Sequence, residues 1–175
     1  STVVAVERKA AGQATTRAVS TRPAMESRAE VEAALEIARQ RTSRIPLLDE
    51  ATTRAALPNL KADQPVANWM RLVAHFPNEA RSRIPAILSL SEERGDLSLL
   101  QKAQVSWIIA RQDRAWYATG QMAQRLRDLG QTPEQIFALD GDWSEFSSAD
   151  RALFQFARHL AATPIALTDP DVATA

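Results

Sequence analysis

LSLLQKAQVSWIIARQDRAWYATGQMAQRLRDLG, residues 97–130, decides the fold class. In its first half, 97–112, Val105, Trp107, Ile108, Ile109 and Ala110 stand almost side by side. That is too apolar for a helix with a solvated face, so the segment reads as a helix buried on most sides. The second half, 114–129, follows almost at once as another helix, and Gly130 occupies a helix-stop position.

Downstream, Thr132-Pro133-Glu134-Gln135 supplies an N-cap, a proline at the first helical position and a polar residue at the third, opening a short helix to Leu139. Ser147 caps another, with Asp150 at its third position and Leu153, Phe156, Ala157, Leu160 and Ala161 as its apolar stripe. Thr168-Asp169-Pro170-Asp171 has the pattern of one more helix start, four residues before the last. Upstream, Val31, Ala34, Leu35 and Ala38 repeat at helical spacing within 26–41, and Pro46 ends that element. Over 65–75, Trp69, Leu72, Val73 and Phe76 form a stripe that Pro77 is expected to close. A further helix is expected over 78–93, with a kink or boundary at Pro85 and a stop at Gly95. Nothing alternates with period two for long, so the chain reads as all-α. The tetrapeptide Ser-Arg-Ile-Pro at 43–46 and again at 82–85 has no flanking similarity and reads as coincidence.

The whole sequence of 175 residues suits one domain with a substantial core. Hydrophobic residues at 45% and charged ones at 24% are the balance of a globular protein, not of a disordered one. Residues 1–24 stand apart as a basic arm or linker, with Glu7 against Arg8, Lys9, Arg17 and Arg22; residues 25–175 form the expected single helical domain. That domain holds 17 bases and 20 acids, so the arm has an acidic surface to lie on, its own or a neighbour's. The overall charge of zero removes the footprint of nucleic-acid binding, and no apolar run approaches the ~20 residues that span a bilayer. A soluble, cytoplasmic protein is the favoured reading. Arginine outnumbers lysine 18 to 3, as in the proteins of GC-rich bacteria.

Cysteine is absent, which excludes disulfides, thiolate metal sites and cysteine nucleophiles. Two histidines, His75 and His159, are too few for a multi-histidine metal site. Each lies about 120° from the centre of its helix's apolar stripe, at ~100° per residue, and is expected at a flank or an interface. No metal or cofactor is expected.

The succession over 97–172 resembles the alkylhydroperoxidase D and carboxymuconolactone decarboxylase family. The resemblance rests on the buried helix LSLLQKAQVSWIIARQDR, the helix AWYATGQMAQRLRDLG, the Pro133-Glu134-Gln135-Ile136 helix, and the runs Ser147-Ser148-Ala149-Asp150-Arg151-Ala152-Leu153 and Leu167-Thr168-Asp169-Pro170-Asp171-Val172. Upstream, Arg44-Ile45-Pro46-Leu47-Leu48 and the segment 66–74 look like the N-terminal part of larger members. It implies an alkylhydroperoxidase D-like helical bundle that assembles as an oligomer. Its peroxidase-type members carry Cys-x-x-Cys at the start of the second helix, a histidine four residues on and a glutamate in the preceding helix. Here those positions fall on Ala115, Ala118, Met122 and Ala103, or on Gln104 for the glutamate if the register slips by one. None of the four can attack a peroxide or relay a proton.

Three functions therefore stand open. The first is a non-catalytic family member serving as an oligomerising or scaffold subunit. The second is a cysteine-independent decarboxylase- or lactone-type enzyme built on a pocket of Asp113, Arg114, Trp116, Tyr117 and Gln121. The third keeps that pocket for small-molecule binding alone. Against a catalytic role, Asp113 is expected as a helix cap, Arg111 or Arg114 as a partner for a carboxylate, and Trp116 and Tyr117 as packing. Trp69 and Trp107 read as core; Trp143 reads either as a contact to another chain or helix or as a local loop anchor. Family members continue past the Thr168-Asp169-Pro170-Asp171 helix start, so a homo-oligomer or a protein partner is expected to cover the apolar faces of 97–112 and 151–161.

Overall fold

The computed structural model describes residues 24–90, 95–162 and 165–174. Apart from Ala24, the basic arm lies outside them. The described residues form nine helices and no strand. They are α1 (Arg28–Gln40), α2 (Glu50–Ala56), α3 (Asn68–Val73), α4 (Pro77–Leu90), α5 (Leu99–Gln112), α6 (Trp116–Asp128), α7 (Pro133–Ala138), α8 (Ser148–Ala161) and α9 (Asp169–Thr174).

Most helix starts follow from local chemistry. Ser27, Ser98 and Thr132 each accept from the backbone N–H three residues on, while Glu30, Gln101 and Gln135 return a side-chain oxygen to the cap's own N–H. These are capping boxes, each satisfying two otherwise orphaned donors. Gly130, at φ +84°, ends α6: Gly130 N–H donates to Arg127 O and Gln131 N–H to Leu126 O.

Two local expectations are corrected. Pro77 opens α4 rather than closing α3, because a proline at the first helical position lacks only an N–H that has no intrahelical partner anyway. Helix α2 lies where no helix is expected; Asp49 caps it by accepting from Thr52 N–H at 2.7 Å, and buried Thr53 bonds Asp49 O. Pro85 lies inside the single helix α4, and the expected extension to 93 falls outside the described residues.

Helix α5 is central. It packs against α6 and α8, with α1 on α6, α7 at the end of α6 and α9 on α8. Trp107, Ile108, Leu126, Ile136, Leu139 and Phe154 form the main core. A second cluster, built on Leu57, Met70, Ala74, Ala80 and Ile84, holds α2, α3 and α4 together. Trp107 is core as expected, and Trp69 packs half-buried on the second cluster.

Helices α6 and α8 cover much of α5, where Trp107, Ile108 and Ala110 are buried and Val105 and Ile109 are half-buried. Exposed large apolar side chains are spread along the described chain, at Ile37, Ile45, Phe76, Ile87 and Tyr117 as well as at Leu160 (44% exposed), Ile165 (60%) and Val172 (58%). No helix among the described residues is long and apolar enough to cross a membrane.

Phe154 is fully buried and meets the Trp143 and Phe146 rings edge-on, with centroids 5.6 and 5.2 Å away. Truncating it removes the junction of α8 with the 140–147 loop. Phe154→Ala should cost about 3–5 kcal/mol in urea unfolding, whereas Ile37→Ala on the exposed face of α1 should stay within about 0.5 kcal/mol.

Candidate functional site

The turn between α5 and α6 carries the residues singled out from the sequence. Ala115 N–H donates to Ala110 O and Arg114 N–H to Arg111 O, the arrangement that usually ends on glycine. Here Arg114 takes the left-handed position at φ +53°, at a cost of about 1–2 kcal/mol for a residue with a Cβ. Its side chain offsets this strain by pairing Nε with Glu26 Oε1 at 2.5 Å.

Beneath the turn lies Arg111, whose side chain is completely buried. Its Nε donates to Asp140 Oδ2 at 2.9 Å, one terminal nitrogen to Glu26 Oε2 at 2.9 Å and the other to Glu26 O at 3.1 Å. Trp107 Nε1 donates to the other oxygen of Asp140 at 2.9 Å. The Arg111 guanidinium also lies 5.7 Å from the centre of the Trp116 ring, within cation–π range. A charge so deeply buried is tolerated only when paired and hydrogen-bonded in good geometry, and here two carboxylates and a carbonyl do both. Burial of Glu26 works to raise its carboxyl, yet hydrogen bonds from its own backbone N–H and from Arg111 prevail, aided by the charges of Arg111 and Arg114, and hold it below its ordinary value.

Of the predicted pocket, Asp113, Arg114 and Trp116 lie together in this turn, and Tyr117 and Gln121 follow one helical turn apart on α6. Asp113, Tyr117 and Gln121 are exposed. Asp113 does occupy a cap position, the C-cap of α5, and it does so through its backbone N–H to Ile109 O. The N-cap of α6 is Ala115, which makes no side-chain cap bond. Arg111 and Arg114 both pair with carboxylates.

The four substituted family positions divide in two. Ala103 belongs to the buried core and Met122 packs against it, while Ala115 and Ala118 are half-buried at the start of α6. Gln104 is buried. No group of three or more His, Cys, Asp and Glu among the described residues is placed to hold a metal ion.

The histidines have structural partners. Since a carbonyl only accepts, His75 Nε2 donates to Pro46 O at 2.7 Å, tying α3 to the loop before α2. His159 on α8 is half-buried and pairs through Nδ1 with Asp171 Oδ2 at 3.0 Å, so this flank position contacts α9 within the same chain. Asp171 is buried and also accepts from the Thr168 hydroxyl (2.6 Å), Thr168 N–H (2.9 Å) and Gln155 Nε2 (2.9 Å). The Thr168 hydroxyl, then His159, overcome burial to hold the Asp171 carboxyl far below the usual carboxylate range.

Trp143 is the local loop anchor. It is buried at φ +62°, donates Nε1 to Leu139 O at 2.8 Å, and lies under the Arg158 guanidinium at 3.9 Å.

No protein-family model, curated protein or solved structure matches the chain.

Two stability effects follow. Arg111→Ala leaves Glu26 and Asp140 buried without their cation and should destabilise the fold by about 3–5 kcal/mol in denaturant titrations; Arg111→Lys, which cannot reproduce the fork, should recover only part of that. Because the folded Asp171 carboxyl titrates below its unfolded value, its contribution is complete above the ordinary carboxylate range and is lost as pH falls through the folded value. Asp171→Asn should therefore lower the urea midpoint at pH ~7, and its gap from the wild type should close progressively below about pH 4.

Proposed function

We propose that the protein is a non-catalytic relative of the alkylhydroperoxidase D and carboxymuconolactone decarboxylase family, acting as an oligomerising or scaffold subunit. The observation that carries this reading is the packing of Ala103 and Met122. Two positions that the resemblance assigns to proton-relay groups belong to or pack against the apolar core around Trp107 and Ala123. A glutamate at 103 would be a buried charge there, and the chemistry would need a cation or proton donor beside it.

The polar groups of the adjoining turn support the same reading. Arg111 and Arg114 are committed to Glu26 and Asp140, and the chain has no cysteine to serve as a nucleophile. Several apolar side chains remain outward: Tyr117, 47% exposed, beside the turn, Ile37, Ile45, Phe76 and Ile87 on the earlier helices and loops, and Leu160, Ile165 and Val172 toward the end of the sequence. In this reading the exposed apolar side chains meet another copy or a different protein, and burying several of them contributes ~1.5–3 kcal/mol each.

Sedimentation of the purified chain across a range of concentrations, paired with peroxide and lactone turnover assays, tests the proposal. A defined oligomer or hetero-complex with turnover at background is expected. A monomer at all concentrations, with no protein partner on isolation, would remove the scaffold reading. Enzyme-like turnover abolished by Asp113→Asn with Tyr117→Phe would install the cysteine-independent enzyme in its place.

A further inference from the structure

The cavity that the sequence reading does not anticipate lies away from the α5–α6 turn, between the 57–64 loop, α4 and one side chain of α6. Its volume is about 340 Å³, at the small end of the range for small-molecule sites. Leu57, Leu60, Ile84 and Leu88 give it apolar walls. Leu57 and Ile84 are buried members of the second core cluster, so that part of the lining is fixed by packing.

The charged lining has one sign. Among the described residues Lys61, Arg81 and Arg125 line the cavity and no carboxylate does, although residues 25–175 as a whole carry an excess of acids. Low-dielectric walls around charges of one sign focus their field and raise the local concentration of the opposite ion.

The walls are also held in place before any ligand arrives. Arg54 donates to Lys61 O at 3.2 Å and Gln64 O at 2.9 Å, while its partner Glu50 fixes it from the other side at 2.9 Å. Arg81 Nε donates to Ala56 O at 3.2 Å, which anchors the guanidinium at the end of α2. A loop ordered in advance does not charge its ordering entropy to binding.

We propose that this cleft binds a small organic anion, a carboxylate or phosphate head group carrying a compact hydrocarbon body. The head group meets Arg81 and Lys61, with Arg125 on the opposite wall; the body lies on Leu60, Ile84 and Leu88. The site is separate from the pocket of Asp113 and Tyr117 and does not depend on the scaffold reading.

Isothermal titration of the full chain with hexanoate, hexyl phosphate, 1-hexanol and acetate tests it. One or both hexyl anions should bind at a single site, with hexanol and acetate each at least about tenfold weaker, and the tighter anion identifies the head group. Arg81→Gln with Lys61→Gln should weaken the anion by about tenfold or more while leaving the far-UV spectrum unchanged, and Lys61→Glu alone should act in the same direction. Both side chains are exposed, so these variants are expected to fold. Hexanol matching the anions, acetate matching hexanoate, absence of binding by both hexyl anions, or full affinity in the folded double variant would each overturn the proposal.

Discussion

The buried guanidinium of Arg111 is the constraint on which the rest of the arrangement depends. A cation taken out of water loses several kcal/mol of hydration, so its surroundings must be built to repay it. Here the repayment comes from two distant parts of the chain, Glu26 before α1 and Asp140 after α7, while Trp107, one turn back on α5, holds the second oxygen of Asp140. The network thereby fixes where α1 begins and where α7 ends relative to the central helix. Apolar packing of α5 against α6 and α8 supplies attraction without direction; the Arg111 fork supplies the direction.

The same network explains why the α5–α6 turn tolerates Arg114 in a conformation that suits glycine. The Glu26 carboxylate serves two arginines at once, one below the turn and one within it, so the strained backbone is tied to the same anion as the buried charge. Chemistry at this turn would need titratable groups left over. Arg111, Arg114, Glu26 and Asp140 are engaged in holding the turn, and the exposed Asp113 and Tyr117 are the titratable side chains beside it.

At the far end of α8 a second polar knot does similar work on a smaller scale. Asp171 accepts from Thr168, Gln155 and His159, so α9, only six residues long, is docked by a carboxylate rather than by a large apolar face. Leu160, Ile165 and Val172 remain exposed around it. The α2–α4 unit has its own apolar cluster, and its loop from 57 to 64 is shaped by Arg54 reaching back to two carbonyls. Polar anchoring of loops onto apolar helix pairs recurs throughout the molecule.

The sequence by itself determined the helical class, because apolar spacing, proline and glycine positions and cap residues act within a few neighbours. The caps at Thr132 and Ser147, the stop at Gly130 and the buried character of α5 are all local facts of this kind. Two more capping boxes, Ser27 to Glu30 and Ser98 to Gln101, and the Asp49 cap of α2 were written there too, in the same three-residue spacing. Tertiary structure alone decided the partners of the charges. Arg111 meets a carboxylate 85 residues away and another 29 away, and no local pattern distinguishes it from the exposed arginines. It likewise decided that His159 faces Asp171, that Trp143 anchors its own loop, and that Lys61, Arg81 and Arg125 line one cleft. The reason is the same in each case: hydrogen bonds and ion pairs are specified by where side-chain atoms end in space, and that is set only after the apolar faces have packed.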